Sequence, residues 1–95
     1  MRKYQMVFIV HPEFDEDQAN EVISDVKDLV GRNDGEVTKV EPWGLRKLAY
    51  PIQKEHEGRY VLMELELAPA KVSEIERVLN LMEPVIRQLI VRLEV

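Results

Sequence analysis

Arginine, lysine, tyrosine and tryptophan are the side chains that meet phosphates and stack on bases. In this 95-residue chain the candidates fall in two stretches. Arg2, Lys3 and Tyr4 stand at the start, and Trp43, Arg46, Lys47, Lys54, Arg59 and Tyr60 in the middle. Cations neutralise phosphates and aromatic faces take up unpaired bases, so this set points to RNA. Arg46 and Lys47 are neighbours, which on a strand sends them to opposite faces, one free to meet RNA and the other a protein acid. Trp43, between Pro42 and Gly44, fits either the cover over one end of a core or an anchor in an interface, where tryptophan and arginine dominate the energetics. Tyr50, before Pro51, reads as packing.

Catalysis and metal binding have far less to work with. His11 and His56 are distant, show no HxxH or HxxxH spacing and have no cysteine beside them. The absence of cysteine also removes a thiolate nucleophile and a disulfide framework. The acids between positions 13 and 28 lie opposite an apolar stripe and read as a solvated helix face. Glu64 and Glu66 share one strand face, without the cleft that would shift their pKa values into a catalytic range. Ser24 and Ser73 have no histidine close in sequence, and no glycine loop of the phosphate-cradling kind is present. The expectation is a binding module: not an enzyme, with no metal, no cofactor and no small-molecule substrate.

The net charge is −5, whereas a strongly basic domain is the usual footprint of bulk nucleic-acid binding. Distribution matters more than the total. Residues 13–36 carry nine acids against Lys27 and Arg32, a net of −7, while residues 1–12 and 37–60 are each net +2. Such asymmetry allows a basic surface on an acidic protein. The longest apolar run, Met6 to Val10, is far too short to span a membrane, and the N-terminus lacks the apolar region of a signal peptide. No membrane is expected, and the cytoplasm is the expected compartment.

The elements that must position these residues follow from periodicity. Tyr4 to His11 is rich in β-branched and aromatic types on both parities, as in a central strand, and Pro12 ends it. Asp15 is placed to cap a helix whose apolar residues Ala19, Val22, Ile23, Val26, Leu29 and Val30 make one stripe, stopped by Gly31 or Gly35. A second strand begins over 36–41, is interrupted at Pro42-Trp43-Gly44 and resumes from Leu45 to Ile52. Its prolines consign it to a sheet edge. Lys54 to Gly58 reads as a turn. In the third strand, Tyr60 to Leu67, Val61, Met63, Leu65 and Leu67 face the core, and Tyr60, Leu62, Glu64 and Glu66 face away. Val72, Ile75, Val78, Leu79 and Met82 form the stripe of a second helix, with Pro84 at its exit. In a fourth strand, Val85 to Val95, the reading puts Leu89, Val91, Leu93 and Val95 on the core face and Gln88, Ile90, Arg92 and Glu94 on the other.

The order β-α-β-β-α-β, with two singly striped helices, predicts an α+β ferredoxin-like sandwich: one domain over 1–95, a four-stranded antiparallel sheet, and both helices on one face. Strands one and three should be central. The open face would mix Tyr60, Leu62, Glu64, Glu66, Ile90 and Arg92, a candidate docking surface. The RNA-recognition motif shares this order, but Gly58 to Leu65 offers one aromatic where that motif wants several, and Glu64 sits near the sheet centre. RNA should therefore be reached by strand edges, loops and the N-terminus.

The block Trp43-Gly44-Leu45-Arg46-Lys47-Leu48-Ala49-Tyr50-Pro51-Ile52 resembles the signature of the bacterial ribosomal protein S6 family of the small subunit. So do Met1-Arg2-Lys3-Tyr4, His11-Pro12, Tyr60-Val61-Leu62-Met63, Val85-Ile86-Arg87 and Val91-Arg92, in order along the chain. The resemblance implies a ribosomal location and binding to the central domain of 16S ribosomal RNA together with ribosomal protein S18, a small basic partner suited to an acidic chain. By resemblance, Arg2, Lys3, Arg46, Lys47 and Lys54 would touch RNA, and the open sheet face and fourth strand would meet protein. Geometry suggests Tyr60, Leu62, Ile90 and Arg92 for the latter, with Trp43 as a possible anchor. Gln5 departs from the family pattern, in which glutamate is common. Two other classes live on the same fold. A small-molecule-binding regulatory module needs a pocket of convergent polar groups, and an acylphosphatase-like enzyme needs a phosphate-binding glycine loop followed by arginine. The sequence offers neither.

Overall fold

Alternation and stripes resolve into six main elements in a computed structural model, which describes residues 1–93: β1 (Arg2–Val10), α1 (Glu16–Arg32), β2 (Glu36–Ile52), β3 (Glu55–Leu67), α2 (Val72–Leu81) and β4 (Val85–Arg92). A 3-10 turn over Pro69–Lys71 leads into α2. The strands form one sheet in the order β2-β3-β1-β4, with each neighbouring pair antiparallel. This is the ferredoxin-like arrangement the sequence predicts, with β1 and β3 central and the proline-bearing β2 at an edge.

The Asp15 carboxylate accepts from the Gln18 backbone N–H at 2.8 Å, and the Gln18 side chain accepts from the Asp15 N–H at 2.9 Å. This reciprocal capping box starts α1. Gly31 stays within the helix. Asp34 takes the left-handed turn after it (φ 63), and the Gly35 N–H returns to the Val30 carbonyl at 2.9 Å. The stripe Val22, Ile23, Val26, Leu29 and Val30 packs on Tyr4, Met6, Phe8 and Val10 of β1 and on Val61, Met63, Leu65 and Leu67 of β3. Ile75 and Leu79 of α2 join the same cluster, so both helices cover one face of the sheet.

β3 is longer than its alternation suggests, starting at Glu55 rather than Tyr60, whereas β2 keeps its expected bounds and runs on through the interruption at 42–44. Of the expected turn over 54–58, residues 55–58 are strand, and the chain reverses at Gln53 and Lys54, with φ of 50 and 66. Two positive φ values in a two-residue hairpin fit a type I′ turn, which normally takes Asn-Gly. The start of β3 was hidden because Glu55-His56-Glu57-Gly58 contains no apolar residue to alternate. β1 pairs with β3 only from Arg59 onward, so residues 46–58 form a two-stranded arm beyond the rest of the sheet. β2 carries irregularities at Val37/Lys39, Pro42/Gly44 and Lys47/Ile52, and Gly44 takes φ 78 at the second of them.

The face assignment of β4 differs from the expectation. Val10 pairs with Val85, whereas Ile9 pairs with Arg87, so Ile86 is an extra residue at a bulge. Past the bulge the parity inverts. Ile90 and Arg92 pair with Met6 and Tyr4 on the helix-covered face, and Gln88 on that face donates to Asn80 Oδ1 of α2 at 3.4 Å. Ile90 is half-buried against the core. Leu89 and Val91, read as core, lie beside Val7 and Gln5 on the open face and are 53% and 43% exposed. Counting alternation from Val85 across an unseen bulge slips the register by one and flips every later side chain. Glu94 and Val95, the expected end of this strand, lie outside the described residues.

Candidate RNA and protein interface

The five cations expected to meet RNA do not form one patch. Lys3 pairs with Glu66 and Arg46 with Gly58, eight residues apart along β3, which separates them by ~27 Å at the usual rise of a strand. Arg2 and Lys3 mark one end of the sheet, and Arg46, Lys47 and Lys54 occupy the arm at the other. All five are exposed. Among the described residues, no salt bridge neutralises Lys3, Arg46, Lys47 or Lys54. Lys39, in contrast, is held between Glu41 (3.3 Å) and Glu64 (3.5 Å). The hydrogen bond and charge of Glu41, with Glu64 behind them, hold its ammonium above the usual lysine value.

Two residues grouped with the cations by sequence are structural. Tyr4 is buried in the core, and the Arg59 Nε–H donates to the Phe14 carbonyl at 2.7 Å, tying β3 to the turn before α1.

The open face is read from the pairing. Lys3, Gln5, Val7 and Ile9 of β1 run between Glu66, Glu64, Leu62 and Tyr60 of β3 and, from Gln5 on, Val91, Leu89 and Arg87 of β4. Tyr60 and Leu62 are on this face as expected. Ile90 and Arg92 are not, and Leu89 and Val91 take their place. The missed signal was an apolar character on both parities of β4, which a strand with a single buried face does not need. Trp43 stacks on Tyr60, with centroids 6.1 Å apart and planes inclined by 13°, and its Nε1–H donates to Glu41 Oε1 at 3.2 Å. It remains 38% exposed at the β2 irregularity and borders a groove of about 300 Å³ that also touches Glu16, Asn20 and Arg59.

The arm folds back on the body at three points. Arg87 donates to the Tyr50 hydroxyl, with its guanidinium carbon 5.9 Å from the centre of that ring. The Gln53 amide donates to the Ile86 carbonyl at 3.5 Å. His11 Nδ1 accepts from the Glu13 backbone N–H at 3.3 Å, and its Nε2 lies 3.0 Å from Glu55 Oε1. Beneath the arm, Leu48, Ala49, Tyr50 and Ile52 close an apolar pocket of about 230 Å³ over Val7, Ile9 and Leu89. Among the described residues, no group of three or more His, Cys, Asp or Glu side chains could hold a metal, and no helix is long and apolar enough to cross a membrane.

The chain matches known proteins over almost its whole length. The family model described as ribosomal protein S6 matches residues 3–92. Small ribosomal subunit protein bS6 of Moorella thermoacetica is 40% identical over 94 residues, covering 99% of this chain and 96% of that protein. The bS6 protein of Clostridioides difficile is 45% identical over 91 residues, covering 96% and 98%. The crystal structure of 30S ribosomal protein S6 from Thermotoga maritima superimposes with a TM-score of 0.89 at 29% identity, covering 96% of this chain and 86% of that one. The exposed cations, the open apolar face and these matches lead to one statement: the chain belongs to the ribosomal protein S6 family and is a protein of the small ribosomal subunit, not an enzyme.

Proposed function

We propose that this chain binds the central domain of 16S ribosomal RNA together with ribosomal protein S18, with RNA met by Arg2, Lys3, Arg46, Lys47 and Lys54 and protein met by the open sheet face. The observation that carries the division of labour is the exposed strip of Leu89 and Val91 beside Val7 and Leu62, framed by cations at both ends of the sheet. An apolar strip of this kind suits a protein surface, whereas a phosphate backbone needs the cations. Tyr60 and Trp43 extend the strip with a stacked aromatic pair of the type that anchors interfaces. Net acidity helps here, because a basic partner is drawn to the body while RNA is confined to its two cationic ends.

Reconstitution with purified S18 and a central-domain RNA fragment tests the reading. Weak RNA binding by the chain alone and tighter binding with S18 are expected. If about four phosphates are neutralised, the log–log salt slope should lie near −3. A second arm is co-purification at moderate salt with and without nuclease. RNA lost on digestion while a small basic protein stays bound fits the proposal. A flat salt dependence, or recovery of a homodimer without RNA, would overturn it.

A further inference from the structure

We infer that Tyr50, Arg87 and His11 are positioning residues: they clasp the arm to the end of the sheet and so fix where Arg46, Lys47 and Lys54 are presented. This rests on the proposed RNA role of the arm and adds to it the device that orients it.

The need for a clasp follows from the pairing. Beyond Arg59 the arm has two strands and no third, and an isolated two-stranded ribbon is marginally stable in water. Its tip also holds Gln53 and Lys54 at positive φ, where the glycine that such a turn favours is absent. Something outside the ribbon must keep it in place. Among the described residues, the polar contacts from its far half to the body reach one small region: His11, just after β1, and Ile86 and Arg87, at the start of the neighbouring β4. Arg87 lies on the open face, where an arginine is free to meet phosphate, yet it spends a donor on the Tyr50 hydroxyl and lies near the ring. His11 reaches Glu55 on the opposite strand of the arm, so both strands are tied. The apolar floor under Leu48 and Ile52 fits the same closed position and accounts for the burial of Ile9 on an otherwise open face.

Tyr50→Phe is the decisive variant. It keeps the ring and the charge, removes the acceptor hydroxyl and touches no phosphate contact. Arg87→Gln is its counterpart on the body, and Arg46→Gln is the control for a direct contact. Each full-length variant is measured with S18 and central-domain RNA over a salt series, and amide hydrogen exchange over residues 46–57 is followed in the protein alone. For Tyr50→Phe and Arg87→Gln, exchange in the arm should speed up severalfold and RNA affinity should fall about 3- to 10-fold, with the salt slope unchanged. For Arg46→Gln the slope should drop by about one with arm exchange unaltered. Wild-type exchange and affinity in Tyr50→Phe would overturn the inference. So would a reduced slope with unaltered exchange in Arg87→Gln, which would make that residue a phosphate contact. Absence of salt-dependent RNA binding by the wild-type protein would instead sink the function on which the inference rests, and the exchange data would separate that failure from a missing clasp.

Discussion

Asp15 and Gly35 bracket α1 and act through different physics. Asp15 supplies an acceptor to an otherwise unpaired backbone donor, so Asp15→Ala should lower stability by about 1 kcal/mol in a denaturant titration. Gly35 is needed for space. A Cβ there would lie 2.7 Å from Leu67 Cδ1, 2.8 Å from the Glu66 carbonyl oxygen and 2.9 Å from Val30 Cγ1. Because one of these is backbone, Gly35→Ala should cost about 1–3 kcal/mol, as overpacking does. Lowered thermal stability with an intact helix signal would bear that out, and no change would refute it. The tip of the arm offers the opposite experiment. A left-handed conformation costs a non-glycine residue roughly 1–2 kcal/mol, partly offset by the ~0.5–1 kcal/mol entropic cost of ordering glycine. Replacing Gln53-Lys54 by Asn-Gly should therefore raise stability by up to about 1 kcal/mol. Asp15 was legible from the sequence because caps have a signature. Gly35 was named only as a stop, because close packing has no local signature.

At the level of elements, β4 separates what patterning can and cannot reveal. Element type, edge position and strand order all follow from periodicity and prolines. Face does not, because the bulge at Ile86 is a property of pairing with β1 rather than of the strand's own residues. The assignment is testable by a crossed pair. Leu89→Ser should change stability by less than ~0.5 kcal/mol, as surface substitutions do, while weakening association with the protein partner. Ile90→Ala, half-buried against the core, should cost about 1–2 kcal/mol and leave association intact when stability is allowed for. The reverse pattern would restore the unbulged register. The far end of β3 was misread as a turn for a related reason: Glu55 to Gly58 holds no apolar residue and so lacks the contrast on which strand recognition depends.

For the whole molecule, charge and shape work together. Asp17, Glu21, Asp25 and Asp28 are exposed along α1, while Lys3, Arg46, Lys47 and Lys54, which have no salt bridge among the described residues, sit at the two ends of the sheet. The sequence showed the two basic stretches but not their separation, because only the pairing of β1 and β2 along β3 sets it. If RNA is met as proposed, two cationic ends about 27 Å apart would reach different phosphates on a folded RNA rather than one run. Double neutralisation, Lys3→Gln with Arg46→Gln, should then be additive in binding free energy, as distant sites are. Strong coupling between them, read from the two single variants and the double, would contradict the extended geometry.

The first strand made is also the one at the centre of the sheet, waiting for both of its neighbours. β1 pairs with residues 59–67 on one side and 85–92 on the other. At translation rates of ~5–20 residues per second, about 4–16 seconds pass between synthesis of Val10 and of Arg92. For about 3–11 seconds of that interval, until Leu67 is made, the apolar run from Met6 to Val10, most of it core in the finished protein, has no strand to pair with, and its other edge stays open until β4 follows. Most of its pairings are distant in sequence, which slows folding further because long loops must close first. The molecule is thus one whose longest apolar run emerges first and is flanked on both sides only when the last strand is in place, so its yield in the cell depends on what attends the nascent chain.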